Sequence, residues 1–173
     1  AEARIREGDN AGALQLLREE VRSRAVDVET HELYRRLLRQ AGDAKESNAH
    51  AQQYLNLLMM EKQDRKALGL LREALEANPD FVPMQLEHGE LLAQRARMGG
   101  QAQLAIDQWQ ALLRRHPKEP NAARWALDAA LLMSERFGRD DEARNLLQQA
   151  RGLSQDPELQ QKIEAALKPL QPA

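Results

Sequence analysis

Apolar side chains recur at helical spacing along most of the chain, and turn residues cut that rhythm into about nine segments. Ala13, Leu14, Leu17 and Val21 share one stripe of a helix predicted from about Asn10 to Arg24. Leu33, Leu37 and Leu38 point inward from a second, from about Glu29 to Ala41, with Thr30 or Asp27 as its cap. Gly42-Asp43 breaks the chain before a long third helix, about Ala44 to Glu61, whose Ala51, Tyr54, Leu55 and Leu58 keep the helical spacing. Asp64 is the expected cap of a fourth, which must stop before Asn78-Pro79, because proline ends a helix and pushes the preceding residue out of the helical region. The fifth is expected from Pro83 to Arg97, the sixth from Gln101 to Arg115 and the seventh from Pro120 to Phe137. Gly138 supplies a left-handed C-terminal residue for the seventh. The eighth runs from Asp140 to Arg151 and the ninth from Asp156 to Leu167. Residues 1–7 read as the last turns of a further helix. With Ala1 as the first residue, this suggests a chain cut from something longer. Connections of two to five residues make neighbouring helices antiparallel hairpins.

A second regularity lies over the first. Ala67, Ala105 and Ala143 are equivalent at a period of 38 residues, as are Leu71, Trp109 and Leu147, and Ala74, Leu112 and Ala150. Pro79 and Pro117 close two of the copies, and Pro157 follows the third more loosely. A fixed period of this size marks an array of helical hairpins. The implied class is all-α: a right-handed α-solenoid of antiparallel helical hairpins, about nine helices in one domain. That domain divides into irregular helices over 1–47, three repeats over 48–152, a capping helix over 155–168 and a frayed tail over 169–173.

The spacing Ala67, Leu71, Ala74, Pro79 resembles the second helix of a tetratricopeptide repeat (TPR). Its matching first helix is 48–62, with Ala51, Tyr54, Leu55 and Leu58 at the packing positions; Gly89 and Leu92, then Leu127 and Ala130, occupy them in the next two. The family period is about 34 residues. The extra four residues fall near Arg95 to Gly99 and Ser134 to Gly138, about one helical turn each, so the packing faces keep their phase. Leu127 is bulky where the family places a small residue. The resemblance implies a partner-binding groove lined by first helices, with Gln52, Asn56, Glu90, Gln94, Arg124 and Asp128 facing it. Some family members clamp a terminal carboxylate with lysines and asparagines. Here Asn56 matches one such position, but Gln52 stands where a lysine is needed, so no clamp is expected. The stretch Met133 to Asp140 also resembles the soluble helical tail of certain bacterial proteins that carry a membrane domain upstream.

Composition narrows the function class. Charged residues are 30% of the chain and the net charge is -2, whereas a nucleic-acid binder shows a basic surplus or stripe. Arginine accounts for 19 of the 25 basic residues, which suits interfaces without forming a nucleic-acid track. No apolar run approaches the ~20 residues needed to cross a bilayer, so no membrane insertion by this segment is expected. Cysteine is absent, which removes disulfides and thiolate metal sites. His31, His50, His88 and His116 do not pair at helical spacing, so surface or hairpin-packing roles are expected rather than metal ligation. No phosphate-cradling glycine loop and no nucleophile motif occurs. Trp109 and Trp125 are expected in the core. Leu57, Met59 and Met60 leave the long third helix apolar on more than one side, as an extra packing face, a docking patch or a dimer contact.

The expected function is a scaffold that binds a protein or peptide without catalysis, cofactor or metal, in the cytoplasm. A periplasmic location or the soluble domain of an inner-membrane protein is the alternative. The rival function is structural: self-association as a homodimer, or support of an upstream domain.

Overall fold

The computed structural model describes residues 1–172, all-helical among those residues. Ten α-helices follow in order: α1 (Glu2–Arg6), α2 (Asn10–Ser23), α3 (Val28–Ala41), α4 (Ala44–Met60), α5 (Asp64–Ala77), α6 (Leu86–Met98), α7 (Ala102–Arg115), α8 (Ala122–Phe137), α9 (Asp140–Arg151) and α10 (Pro157–Leu167). The nine segments read from the apolar rhythm are all helical, and residues 1–7 contain the short helix α1. The chain divides into two compact units, Ala1–Leu70 and Leu71–Ala173, with the division inside α5.

In the first unit, α2 packs on α3 and α3 on α4. Each of these helices starts on an aspartate whose carboxylate accepts an otherwise orphan backbone N–H. Asp9 receives Gly12 N at 2.8 Å, Asp27 receives Thr30 N at 2.8 Å and Asp43 receives Glu46 N at 2.9 Å. Asp27 is therefore the cap of α3, and Thr30 is the residue it holds. Ala13, Leu14, Leu17 and Val21 of α2 bury against Tyr34, Leu37 and Leu38 of α3. Asp64 is the first residue of α5 rather than its cap.

In the second unit, α6, α7, α8 and α9 pack as successive antiparallel neighbours, and α10 packs on both α8 and α9. Its core alternates large and small side chains. Trp109, Leu92, Ile106, Leu112, Met133 and Leu147 are fully buried among Ala93, Ala105, Ala111, Ala126, Ala130, Ala143 and Ala150. Each buried aliphatic of this size contributes about 1.5–3 kcal/mol before conformational entropy is subtracted. The four-residue lengthening is accommodated at the C-terminal ends of α6 and α8, which turn out through Gly100 and Gly138, both at positive φ. Pro83 does not open the fifth helix as expected. It is buried ahead of the helix, and a β-carbon on Gly89 would stand 3.3 Å from its Cδ and 3.2 Å from Leu112 Cδ2. The proline ring is a wall of the core, so α6 begins at Leu86.

The tail expected over 169–173 begins within a short turn. Lys168–Leu170 continues α10 as a 3-10 turn, and the Arg144 guanidinium donates to the Leu170 carbonyl at 2.7 Å. Ala173, the last residue of that expected tail, lies outside the described residues.

Candidate partner-binding face

The six groove candidates fall into two sets. Gln52 and Asn56 are one turn apart on α4 of the first unit, both partly buried. The Asn56 amide contacts Met60 Sδ at 3.7 Å, and its buried carbonyl oxygen has no protein partner. Glu90, Gln94, Arg124 and Asp128 belong to the second unit, on α6 and α8.

There, spacing on two helices becomes contact between them. Glu90 and Gln94 are one turn apart on α6, as are Arg124 and Asp128 on α8. The Glu90 carboxylate accepts from Asn121 Nδ2 at 2.7 Å and from Trp125 Nε1 at 2.9 Å. Gln94 Nε2 reaches Asp128 Oδ2 at 3.5 Å, and Arg97 stands 3.7 Å from Asp128 Oδ1. The polar strip is thus tied across α6 and α8 at both levels, tightly at Glu90 and loosely at Asp128. Burial pushes the Asp128 carboxyl above the usual carboxylate range, against the opposing pull of Arg97, Arg124 and Gln94.

Beside this strip, between α8 and α10, lies a cleft of about 440 Å³. Arg124, Asp128 and Lys162 supply its polar lining, and Leu127, Leu131 and Leu159 its apolar floor. The bulk of Leu127 is therefore absorbed at a cleft wall. Arg124 is exposed. Lys162 is held by Glu158 at 2.6 Å. A larger depression of about 820 Å³ lies along α7, with Arg72, Arg114 and Arg136 among its lining residues. Two of those guanidiniums are already engaged: Arg72 with Gln101 at 2.5 Å, and Arg114 with Asp80 at 2.6 Å and the Pro79 carbonyl at 2.8 Å. The smaller cleft is the one that coincides with predicted site residues.

Several neighbours of the candidate face carry no signal in the sequence pattern. Asn121, Arg97 and Lys162 join the face only through packing. Trp125 has its ring buried in the core, as expected, and its indole N–H, which needs an acceptor when buried, brings it to Glu90. His31 and His50 have the expected hairpin-packing role, but as a direct pair: both are 3% exposed, with Nδ1 of His31 and Nε2 of His50 3.0 Å apart. Among the described residues no three histidine, aspartate or glutamate side chains converge to hold a metal ion. No described helix is long and apolar enough to cross a membrane.

No family model and no curated protein matches the sequence. Three solved structures illustrate what it is similar to. MamA MSR-1 is 15% identical, covering 97% of this chain and 81% of its own, with a TM-score of 0.43. YrrB, described as a TPR protein with an unusual peptide-binding site, is 14% identical over 95% of this chain and 88% of its own, with a TM-score of 0.42. TTC0263, a thermophilic TPR protein of Thermus thermophilus, is 16% identical over 94% of this chain and 93% of its own, with a TM-score of 0.41. The chain itself is a series of helical hairpins, with a repeat of 38 residues and an irregular N-terminal set of helices.

Proposed function

We propose that this chain is a protein-interaction scaffold that holds a peptide segment against the α6–α8–α10 face, without chemistry of its own. The observation that supports it most is the coincidence of two features: an interhelix polar strip, Glu90, Gln94, Arg124 and Asp128, and an apolar-floored cleft sharing Arg124 and Asp128. Amide and carboxylate groups on a fixed helix face can read the backbone of an extended segment, while the cleft takes an aliphatic side chain. Gln52 and Asn56 on α4 are the corresponding positions of the first unit.

The test is selection of ligands from a displayed random-peptide library, followed by calorimetric titration of one selected peptide. Binding should weaken at least tenfold in Arg124→Ala and in a cleft-filling Ala166→Leu variant, with thermal stability retained. Unchanged binding by both variants would place the peptide elsewhere and sink the reading.

A second reading, self-association, is favoured by apolar exposure on α6. Leu91 and Met98 are seven residues apart and 42% and 85% exposed. Two turns of separation put them on one side of the helix. Sedimentation over a wide concentration range decides this reading: a dimer that Met98→Glu abolishes supports it, and a monomer throughout removes it.

A further inference from the structure

The least expected feature of the first unit is a ring cluster closed between α3 and α4. His31 stacks on Tyr54 with ring centroids 5.1 Å apart and on His50 at 5.2 Å, and the edge of Tyr34 meets His50 at 4.7 Å. At the 3.0 Å contact between His31 Nδ1 and His50 Nε2, one nitrogen must donate and the other accept, so the cluster needs at least one neutral imidazole. The remaining nitrogen of His50, Nδ1, is buried and has no protein hydrogen-bond partner. With His50 Nε2 donating to His31, Nδ1 is the bare nitrogen, and a proton added there would create a buried N–H and a buried charge with nothing to receive either.

The surrounding charges do not rescue that proton. From α3, Arg35 is buried and donates to the Ser47 carbonyl at 3.0 Å, and its positive charge opposes a second one at His50. From α4, Glu46 raises His50 only in part, and its carboxylate already accepts from Arg18 Nε at 2.6 Å, Arg18 Nη2 at 2.7 Å and Tyr34 Oη at 2.6 Å. Arg18 and Arg22 are the cations that α2 brings to this carboxylate, which they and Tyr34 hold down at about 2. Glu32 of α3 pairs with Lys66 of α5 at 2.6 Å and receives Tyr54 Oη at 3.4 Å. Asp27 caps α3 and raises His31 only in part, and Glu61 acts on Tyr54. Burial is the leading cause that holds both imidazoles below the ordinary histidine range, His50 down to about 3.

We propose that the α3–α4 hairpin is an acid-sensitive latch, in which protonation of the His31–His50 pair unfastens the first unit at mildly acidic pH while the second unit stays folded. The sign follows from linkage. Both histidines titrate near ~6.5 in an unfolded chain but are held below that in the folded one, so the unfolded state binds more protons as the pH falls. The contribution is fully present above ~6.5 and is lost progressively below it, toward the folded-state values. Each imidazole shifts the opening equilibrium by up to about tenfold per pH unit, so the pair gives up to about a hundredfold. Glu46 stays ionised throughout this window, so the histidines carry the effect.

The experiment is peptide-resolved amide hydrogen exchange on the full chain between pH 7.5 and pH 5, corrected for intrinsic exchange. Tryptophan fluorescence serves as a second reporter, because Trp109 and Trp125 both lie in the second unit. Protection over 28–60 should fall at least thirtyfold by pH 5 while protection over 102–151 and the tryptophan signal hold. In the non-titrating pair His31→Asn with His50→Gln, whose amides stand in for the two facing ring nitrogens, that fall should disappear. If the double variant does not fold, imidazole proton shifts of the wild-type chain decide. Rings that stay neutral until protection is lost support the latch. Uniform loss of protection in both units, or imidazoles that protonate near ~6.5 with 28–60 still protected, overturns it.

Discussion

The two units use the same antiparallel hairpins but close them with different chemistry. The α3–α4 hairpin encloses rings and charge: His31, Tyr34, Arg35, His50 and Tyr54 are all buried. The second unit encloses tryptophan and aliphatic side chains among alanines, with Gln108 as its buried polar residue among those described. Gln108 Nε2 lies 3.4 Å from the Phe81 carbonyl. An apolar core of alternating sizes is held by packing and is nearly indifferent to pH. A polar ring cluster is held in part by a hydrogen bond that is lost when both imidazoles are protonated. The comparison teaches that repeat architecture constrains the backbone far more than it constrains what fills the hairpin.

The largest test of this contrast is Trp109→Ala. Trp109 is 1% exposed at the centre of the second unit. Its loss should cost about 3–5 kcal/mol in urea unfolding followed by hydrogen exchange over 102–151. Weaker effects over 28–60 would confirm two separable cores, whereas equal loss in both would show one cooperative body.

Next comes Glu46→Gln, which removes the charge that Arg18 and Tyr34 share while keeping the shape. It should destabilise the first unit by about 1–2 kcal/mol at pH 7. Because the folded-state Glu46 is held down at about 2, its contribution is present above the ordinary carboxylate value and fades as the pH falls through 2. The cost of the substitution should therefore shrink in strong acid, and a cost independent of pH would mean that shape alone matters.

Two glycines sharpen the packing side. Gly89 is confined by Leu112 and Pro83, so Gly89→Ala should lose about 1 kcal/mol as those neighbours shift. Gly69 in α5 has open space where a β-carbon would go, so Gly69→Ala should gain about 0.5–1 kcal/mol from helix propensity. Thermal midpoints of the two variants should move in opposite directions.

The smallest effect is electrostatic and opposite in sign to the latch. Asp128 is partly buried with a raised pKa, so its protonated form is favoured by folding and the second unit gains stability as the pH falls through the carboxylate range. Asp128→Asn should leave stability at pH 7 within about 0.5 kcal/mol and remove that gain, read from tryptophan fluorescence in urea.

Local signals were reliable wherever the deciding interaction is local. Asp27, Gly42, Gly138 and Asp156 act within a turn of their own position, and they bound α3, α8 and α10 as anticipated. Pro83 lies outside the helix it was expected to open because it is buried beside Gly89, a residue near it in space rather than next to it in the chain. The candidate face was half legible. Register on one helix placed Glu90 with Gln94 and Arg124 with Asp128, but Asn121, Arg97 and Lys162 entered through packing between helices. The His31–His50 contact spans 19 residues of sequence, and no periodic pattern carries it.

The sequence by itself determined the helices, their antiparallel order, the lengthened repeat and the stripes that are buried, because helical periodicity and turn chemistry act over a few residues. Only the tertiary structure decided which polar groups meet. Whether Glu90 touches Trp125, whether His50 keeps an unpartnered nitrogen, and whether a cleft remains between α8 and α10 all depend on how neighbouring helices cross, at a resolution of ångströms that no spacing rule encodes.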